Sequence, residues 1–514
     1  MLQKKQKNTL QKRKNKYIIF AYNKCYHLLK KKTKEENGIM EKFFKLKENG
    51  TTVKTEIVAG LSTFMTMAYI VALNPNLLTG FGAHGQNLWN AVFLATVISA
   101  AIGTFMMAIL ANKPFAMAPG MGLNSFFAVV VTNIAAITGV SYVESFQAAL
   151  VIILIEGIVF IILSVFRIRE KIVEAIPLGV RMGIAPAIGI MLLNIGLGSN
   201  ATLFDKDGNP IYMLSGFFAN LTPSLTSDAM GGHEYKRMVL YVVTTFIGLF
   251  IIFALAHKKF NGAVLVGMLA ASLIYFAGQA AVLGENPFAD LKDASWMPPF
   301  KDMANLTLFK FDFKGLLEIG WLSATLMVVT FCMIDMFDTI GTLVGTASRA
   351  GMVDKDGNMP KMKEALLSDA IGTTVGACTG TSTVTAFVES AAGVEAGGRT
   401  GLTAITTAIL FAACMFIAPI AAIIPAPATS AALVYVGIVM LAGLKNIDFD
   451  DMSQLAPVAL MLISMPITGS IGHGIGLGLI SYTFIMVLTG KAKKVSLLTY
   501  ILSIMFVVKF FLVV

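Results

Sequence analysis

Apolar runs of helical length follow one another along the chain, separated by short polar or Gly/Pro-rich segments. A helix that crosses a bilayer needs about 20 consecutive, predominantly apolar residues. On this criterion the first half contains seven predicted spans, near residues 56–78, 88–112, 115–138, 142–166, 172–198, 237–256 and 262–284. The second half contains seven more, near 316–346, 362–382, 384–396, 400–424, 427–444, 454–489 and 495–514. The pattern predicts an all-α polytopic membrane protein with fourteen transmembrane segments.

The tract 454–489 does not fit this count simply, because it is too long for one helix across a bilayer. It is interrupted at TGSIGHGIG and is followed by three lysines, Lys491, Lys493 and Lys494. Two interpretations stay open for it, a helical hairpin and a broken helix.

Short dipeptides recur at matching places in the two halves. Each matched pair keeps its order among the spans, and the pairs are Ile176-Pro177 with Ile424-Pro425, Gly189-Ile190 with Gly437-Ile438, and Gly103-Thr104 with Gly372-Thr373. Transporters are often built from two related halves. Because each half has an odd number of spans, the second half would be inverted relative to the first. The sequence therefore predicts two inverted repeats of seven spans.

The third and tenth predicted spans carry residues that disfavour a continuous helix. The third contains FAMAPGMGLNSFF, in which Pro119, Gly120 and Gly122 interrupt the helical pattern. The tenth begins with CTGTSTVTAF, whose threonines favour extended backbone. Irregular backbone within the bilayer is tolerated only where it is buried in protein or lines a cavity. Two broken spans at matching positions predict a binding site near the midplane, between two half-helices.

Several carboxylates interrupt the apolar tracts, at a cost of about 2.5–3.5 kcal/mol each for a charge at the centre of a spanning helix. Asp335 and Asp338 lie three residues apart in the eighth span, and Glu389 follows the extended stretch of the tenth. For every such acid, a hydrogen-bonded link between helices competes with a role in ligand binding. We favour ligand binding for Asp338 and Glu389. For Asp335 and Glu156, both interpretations stay open, a link between helices and a role in ligand binding.

Composition adds little to this picture except at the N-terminus. The chain is 56% hydrophobic and 14% charged, with a mean hydropathy of +0.74. Its net charge of +10 lies entirely in residues 1–39, which hold twelve basic and two acidic residues. We predict that this extension is disordered or precedes a native start at Met40, with binding of anionic lipid headgroups as the alternative. No nucleic-acid partner is expected.

Basic residues of the short loops fall on one side of the predicted membrane if the N-terminus is cytoplasmic. They lie before the first span and in alternate loops thereafter, and include Lys42, Lys45, Lys47, Lys54, Arg167, Arg169, Lys171, Lys258, Lys259, Arg349, Lys355, Lys361, Lys363 and Arg399. The sequence therefore predicts a multi-pass protein of the plasma membrane with a cytoplasmic N-terminus.

Three motifs carry a resemblance to a known family. FAMAPGMGLNSFF, FDTIGT and GTSTVTAFVESAAGVEAGGRTGLTA resemble the nucleobase:cation symporter-2 (nucleobase/ascorbate transporter) superfamily, in its hypoxanthine, guanine and adenine permease branch. The resemblance runs from about Met40 to about Lys494. It implies a uracil-permease-like fold with a core domain of spans 1–4 and 8–11, at 40–171 and 316–424. The gate domain would comprise spans 5–7 and 12–14, at 172–315 and 425–514.

The resemblance also implies roles for particular residues. The acidic position of span 8 falls on Asp338, that of span 10 on Glu389, and the amide of span 3 on Asn124. Phe387 and Gly122 are further candidates for substrate binding, although core packing competes with stacking for Phe387. Some members have Pro where this chain has Thr383, so the extended segment is expected to be slightly looser here.

A purine nucleobase suits this set of residues, because its edges carry N–H donors that a carboxylate accepts in pairs. Burial favours the neutral form of a carboxylic acid, so Asp338, Glu389 and Asp335 are candidates for binding a coupling proton. The predicted function is proton-coupled import of hypoxanthine or guanine, with adenine and xanthine open. Sodium coupling and a homodimer also stay open, and no metal or organic cofactor is expected.

Two other functions compete with this prediction. An anion transporter of the sulfate or bicarbonate type would share the fold but needs a neutral or positive site. An integral-membrane transferase would use the acidic cluster DFDD at residues 448–451 to bind a metal, although such a cluster is usually a solvated loop.

Overall fold

The computed structural model describes residues 40–80, 83–166, 176–198, 203–204, 210–211, 232–291, 295–349, 351–353 and 359–512. The predictions for the N-terminal extension, residues 1–39, fall outside these ranges. The elements of the first half are α1 (Val53–Met67), α2 (Ile70–Leu78), α3 (Gln86–Met106), β1 (Met117–Pro119), α4 (Met121–Thr138), α5 (Tyr142–Val165), α6 (Leu178–Leu197), β2 (Leu203–Phe204), β3 (Pro210–Ile211), α7 (Gly232–His257) and α8 (Ala263–Gly278). The strands β2 and β3 pair with each other in an antiparallel ribbon.

Two short helices open the second half, α9 (Phe300–Leu306) and α10 (Phe313–Glu318). The remaining elements are α11 (Trp321–Arg349), α12 (Met362–Thr379), β4 (Val384–Ala386), α13 (Ser390–Glu395), α14 (Gly401–Ala413), α15 (Ala418–Ala422), α16 (Ala426–Met440), α17 (Met452–Thr468), α18 (Ile471–Leu488) and α19 (Leu497–Leu512).

Eleven helices in the described ranges are long and apolar enough to cross a membrane, as judged by length and composition. The predicted ninth span is not among them, because α12 carries three charged residues, Lys363, Glu364 and Asp369. Helix α17 and the apolar part of α19 are shorter. The protein is therefore a helical, multi-pass membrane protein.

Spans three and ten are broken, as predicted from the sequence. Strand β1 precedes α4, and β4 precedes α13, a helix of six residues. The first span, Val53–Leu78, has an irregular turn at Ala68 and Tyr69, where both residues keep right-handed helical backbone angles. Each interruption occurs inside an apolar tract, so its backbone has to be paired within the protein.

The tract 454–489, which the span count takes as one segment, forms two helices that fold back on each other as a hairpin. Helix α17 ends at Thr468, and Gly469 has a positive φ of 62°, a conformation that favours glycine at the end of a helix. A Cβ atom added at Gly478 would lie 2.9 Å from Sδ of Met461. Helices α17 and α18 therefore approach closely along an antiparallel seam, and the hairpin interpretation is confirmed.

The helices pack in two sets. In one set, α12 packs on α3 and α5, and α14 packs on α1 and α3. In the other, α16 and α17 pack on α6, while α7 packs on α8 and α16. The short helices α9 and α10 pack on α3 and α5 and so lie against the first set.

Glycines that recur in the two sequence halves touch each other. A Cβ atom added at Gly189 in α6 would lie 2.6 Å from the carbonyl oxygen of Gly437 in α16, and the reciprocal distance is also 2.6 Å. Likewise, Gly103 in α3 and Gly372 in α12 approach so closely that a Cβ at Gly372 would lie 3.3 Å from Cα of Gly103. Reciprocal contacts of this kind are expected where a twofold axis passes between two related elements.

The crossing of α3 and α12 yields a first prediction, because it has no room for a side chain at Gly372. Replacement of Gly372 by Leu should lower the free energy of unfolding by about 1–3 kcal/mol through overpacking against Gly103 and Val384. The thermal midpoint of the purified, detergent-solubilised protein measures this loss. As a control, Gly345→Leu introduces the same side chain where an added Cβ meets no atom within 4 Å. Equal midpoints for the two variants would contradict the prediction.

Candidate functional site

The two broken spans meet at an antiparallel pair of short strands. Strand β1 pairs with β4 in a register that places Ala118 opposite Thr385. The pairing extends on both sides, since the Gly120 N–H donates to the Thr383 carbonyl at 3.0 Å and the Phe387 N–H donates to the Ala116 carbonyl at 3.0 Å. Peptide groups that would be unpaired in a bilayer are thus satisfied by each other.

Threonines of neighbouring helices hold the outer edges of this pair. The Thr104 hydroxyl of α3 donates to the Met117 carbonyl at 3.0 Å and accepts the Met117 N–H at 2.9 Å. The Thr373 hydroxyl of α12 donates to the Val384 carbonyl at 3.0 Å. These threonines follow the recurring glycines Gly103 and Gly372 in the sequence, so each half secures its own strand in the same way.

Glu389 lies between β4 and α13 and is half-buried. Its Oε1 accepts a hydrogen bond from the Tyr69 hydroxyl at 2.8 Å. Tyr69 is fully buried at the turn between α1 and α2. The Thr66 hydroxyl of α1 donates to the Thr63 carbonyl at 2.7 Å and lies 3.3 Å from the Glu389 carbonyl. Through Tyr69, the first span therefore contacts the carboxylate of the broken tenth span.

Asp338 of α11 is also half-buried and approaches the same region. The Thr385 hydroxyl of β4 lies 3.4 Å from its Oδ2, and the Asp338 carboxyl interacts electrostatically with Glu389 and with Asp369. Gly120 leaves room for Thr385, because a Cβ at Gly120 would lie 2.9 Å from the threonine Oγ1. Asp338 and Glu389, predicted from the sequence as partners, are brought together across β4.

Three other acids of the spanning helices, Asp335, Asp369 and Glu156, are fully buried and have hydroxyl groups of the protein as partners. The Thr339 hydroxyl lies between Asp335 and Asp369 of α12, 2.8 Å from the Asp369 Oδ1 and 3.1 Å from the Asp335 Oδ1, and its single proton is donated to one of them at a time. Asp369 lies within α12. Glu156 of α5 accepts from the Thr383 hydroxyl at 2.6 Å. Burial thus separates these acids from Asp338 and Glu389, which keep accessible surface.

The remaining predicted site residues lie near the junction of the two broken spans, but their contacts are with protein groups other than Asp338 and Glu389. Asn124 is fully buried, its Nδ2 donates to the Pro119 carbonyl at 3.2 Å, and its Oδ1 accepts from the Ser382 hydroxyl. Gly122 faces α6, where an added Cβ would lie 2.7 Å from Cγ2 of Ile188. Phe387 is 6% exposed and belongs to the hydrophobic core.

Tyr69 and Tyr435 are site residues that sequence reasoning did not single out. Tyr435 of α16 is half-buried and interacts electrostatically with Glu389 and with Tyr69. The ring of Phe253 in α7 lies 6.1 Å from the Tyr435 ring. A tyrosine within an apolar tract, as in MAYIV and LVYVG, was the available signal. Through Tyr435 the second set of helices reaches the carboxylates held by the first.

The acidic cluster at 448–451 is a helix cap. Asp451 accepts the Ser453 N–H at 2.9 Å and the Ser453 hydroxyl at 2.7 Å at the start of α17. These hydrogen bonds hold the pKa of Asp451 below its ordinary value. Asp448 accepts the Asp450 N–H at 3.0 Å. The cluster therefore serves to order the loop and begin a helix.

Two paired broken helices, with half-buried acids at their junction, are an arrangement typical of transporters. The model of the Xan_ur_permease family, described as a permease family, matches residues 54–468. The chain belongs to this permease family.

Its relatives include the guanine/hypoxanthine permease PbuO of Bacillus subtilis, 36% identical over 91% of this chain and 100% of that protein. The adenine permease AdeP of Escherichia coli is 34% identical over 92% of this chain and 96% of its own length.

Among solved structures, the transmembrane domain of the cyanobacterial bicarbonate transporter BicA is similar with a TM-score of 0.57. It is 15% identical in sequence, and the similarity covers 83% of this chain and 97% of that domain. The anion transporter Slc26a9 of mouse, in its inward-facing state, gives a TM-score of 0.54 at 11% identity, over 85% of this chain and 68% of that one. These likenesses describe the fold alone.

A structural acid can be distinguished from the site acids by its effect on stability. Fully buried Glu56 of α1 accepts the N–H groups of Arg399, Thr400 and Thr403 at 2.8, 3.2 and 3.1 Å, at the start of α14. Glu56→Ala should lower the free energy of unfolding, since each buried donor left unsatisfied costs about 1–3 kcal/mol. The thermal midpoint of the purified protein measures this. Glu48→Ala, at a side chain that is 69% exposed, is the control; a midpoint equally low in the control would contradict the assignment.

Proposed function

We propose that this protein is a secondary active transporter that imports purine nucleobases across the plasma membrane together with a proton. The observation that carries the proposal is the pair of half-buried acids, Asp338 and Glu389, at the junction of two broken spans. The names of the relatives, guanine/hypoxanthine permease and adenine permease, support purines as the substrate class. Hypoxanthine and guanine are the first candidates, followed by adenine and xanthine.

The carboxylate of Glu389 suits the donor edge of a purine. A carboxylate accepts two adjacent N–H donors in a charge-assisted, bidentate pair, such as N1–H and the 2-amino group of guanine. The Tyr69 hydroxyl occupies Oε1 from one side and thereby orients the carboxylate. Asp338 then accepts from another edge of the base or, when protonated, donates to a ring nitrogen or carbonyl. Asn124, Gly122 and Phe387 shape the crossing behind these groups.

A proton is the coupling ion that we favour. Two half-buried carboxylates that interact electrostatically repel each other when both are ionised. A proton on one of them removes this repulsion, and the neutral base then binds in a site of lower net charge. Asp338 and Glu389 are the first candidates for holding it, and Asp335, linked through Thr339 to Asp369, is the third.

For the architecture, we propose fourteen spans in two inverted repeats of seven, in a uracil-permease-like fold. The reciprocal contacts of Gly189 with Gly437 and of Gly103 with Gly372 support a twofold axis between the halves. Hydrogen bonds from Thr104 and Thr373 to their own strands support the same relation. In this arrangement α17 and α18 are spans thirteen and fourteen, and α19 follows the repeat.

We further propose that the two sets of helices are a core domain and a gate domain that move relative to each other. The core comprises residues 40–171 and 316–424, together with α9 and α10, because these short helices pack on α3 and α5. The gate comprises the rest, and its residue Tyr435 interacts electrostatically with Glu389 of the core. We also propose a cytoplasmic N-terminus, which the distribution of basic residues in the short loops supports.

The site favours purines over the two competing functions. An anionic substrate such as bicarbonate would meet two acids at the junction, and like charges repel. A metal-dependent transferase would need the acidic cluster at 448–451 to bind a cation, but Asp451 is engaged as a helix cap.

Direct uptake is the primary test of this function. Cells that lack their own purine permeases and express this protein should accumulate radiolabelled hypoxanthine or guanine, recovered chemically unchanged. Glu389→Ala and Asp338→Ala should abolish uptake, because each removes an acceptor for the base, whereas Asp450→Ala at an exposed cap loop should not. Surface labelling establishes that all three variants reach the membrane. Normal uptake by either site variant would refute the assignment.

A second test addresses how Glu389 is oriented. Tyr69→Phe removes the donor to Oε1 and retains the ring, so KM for the purine should rise about tenfold, the scale of one lost hydrogen bond to a charged group. Initial rates of uptake over a range of substrate concentrations measure KM. The control is Tyr500→Phe, which removes a hydroxyl that donates to the Ala492 carbonyl at 3.1 Å, away from the site. An unchanged KM in Tyr69→Phe would exclude the orienting role.

A further inference from the structure

Glu156 is a buried acid that the proposed binding scheme does not use. It lies in the middle of α5 and is 0% exposed. Its Oε2 accepts from the Thr383 hydroxyl at 2.6 Å, and Thr383 is also 0% exposed. A hydrogen bond this short to a carboxyl oxygen is typical of the stronger, charge-assisted class. A carboxyl at this depth is costly, so the contact is expected to have a specific purpose.

Thr383 lies at the junction of the two broken spans. Its carbonyl accepts the Gly120 N–H at 3.0 Å, immediately before α4 begins. Its neighbour Ser382 donates to the amide oxygen of Asn124. Two residues further on, Thr385 lies 3.4 Å from Asp338. A displacement of Thr383 would therefore be transmitted to span three and to the site carboxylate.

Helix α5 does not need Glu156 to pack against its neighbour. Gly157 already brings α5 into close contact with α12, since an added Cβ would lie 2.9 Å from the Thr374 backbone nitrogen. The polar contact of Glu156 is instead directed at the extended segment that precedes β4. Thr383, expected from the sequence to loosen this segment, gives it an additional hydrogen bond.

We propose that Glu156 is a positioning residue for substrate binding. Through the Thr383 hydroxyl, Glu156 holds residues 382–385 in register with span three. Thr385 is thereby placed beside Asp338, and Glu389 is placed just after the end of β4. This inference rests on the proposed function in so far as the site that is positioned is a purine site. The hydrogen bond itself can be tested without reference to transport.

Uptake kinetics test the positioning role with matched substitutions. Thr383→Val and Glu156→Ala should each raise KM for the purine about tenfold, as expected for loss of a hydrogen bond to a charged group, while surface abundance stays near wild type. Thr383→Ser and Glu156→Gln retain a hydroxyl donor and an oxygen acceptor, and should restore KM towards the wild-type value. Thr330→Val is the control, because that buried hydroxyl donates to the Leu326 carbonyl within its own helix at 2.7 Å.

The double variant Glu156→Ala/Thr383→Val separates a shared role from two independent ones. If both residues act through their mutual hydrogen bond, the KM of the double variant should equal the KM of each single variant. Additive increases in KM, or lowered surface abundance with unchanged KM, would overturn the proposal. If Glu156→Ala does not reach the membrane, the comparison of KM between Thr383→Val and Thr383→Ser tests the positioning role by itself.

Hydrogen exchange of the purified protein gives a readout that is independent of transport. Backbone amides in a peptide covering residues 381–389 should exchange faster in Thr383→Val than in wild type, and Thr330→Val should leave them unchanged. Unaltered exchange in Thr383→Val would overturn the positioning role even if the wild-type protein transports purines. If wild type transports none, the proposed function fails, and exchange alone decides whether Glu156 holds the segment.

Discussion

The structure depends on the pairing of two short extended segments inside the membrane region. A peptide group without a partner costs several kcal/mol in hydrocarbon, so neither β1 nor β4 could exist there alone. Each satisfies the other in antiparallel register, and threonines of α3 and α12 complete the edges. Because the segments lie in different halves of the chain, their pairing joins the halves at the place where both helices are broken.

Close helix contacts make this pairing sterically feasible. At Gly103 and Gly372 the helices α3 and α12 approach to backbone contact, with Val384 of β4 packed over the crossing. In the second set of helices, Gly189 and Gly437 bring α6 and α16 together in the same reciprocal manner. Small residues allow the backbones of two helices to approach closely, and helices in lipid usually associate in this way. The hydrophobic effect contributes little there, because lipid tails are as apolar as the helix surfaces.

Hydrogen bonding and accessibility divide the acids of the membrane region into distinct roles. Glu56 caps a helix, Glu156 bonds to the extended segment, and Asp335 shares the Thr339 hydroxyl with Asp369, all without exposed surface. Asp338 and Glu389 have hydroxyl partners as well, yet both remain half-buried. The difference matters because a half-buried acid can exchange its contacts for those of a ligand with less disturbance of its surroundings than a fully buried one.

Much of the fold, and the choice of Asp338 and Glu389 as candidate site acids, follow from sequence alone, because they depend on local chemistry. Apolar length identified the membrane spans, Pro119 and the glycines beside it predicted the break in span three, and acids in apolar tracts identified Asp338 and Glu389. The recurring glycines also identified residues that prove to touch. What sequence could not decide is which distant groups meet: Tyr69 and Tyr435 beside Glu389, Thr383 against Glu156, and Asn124 engaged by Ser382. Those contacts join residues far apart in the chain, and only the packing of whole helices determines their distances.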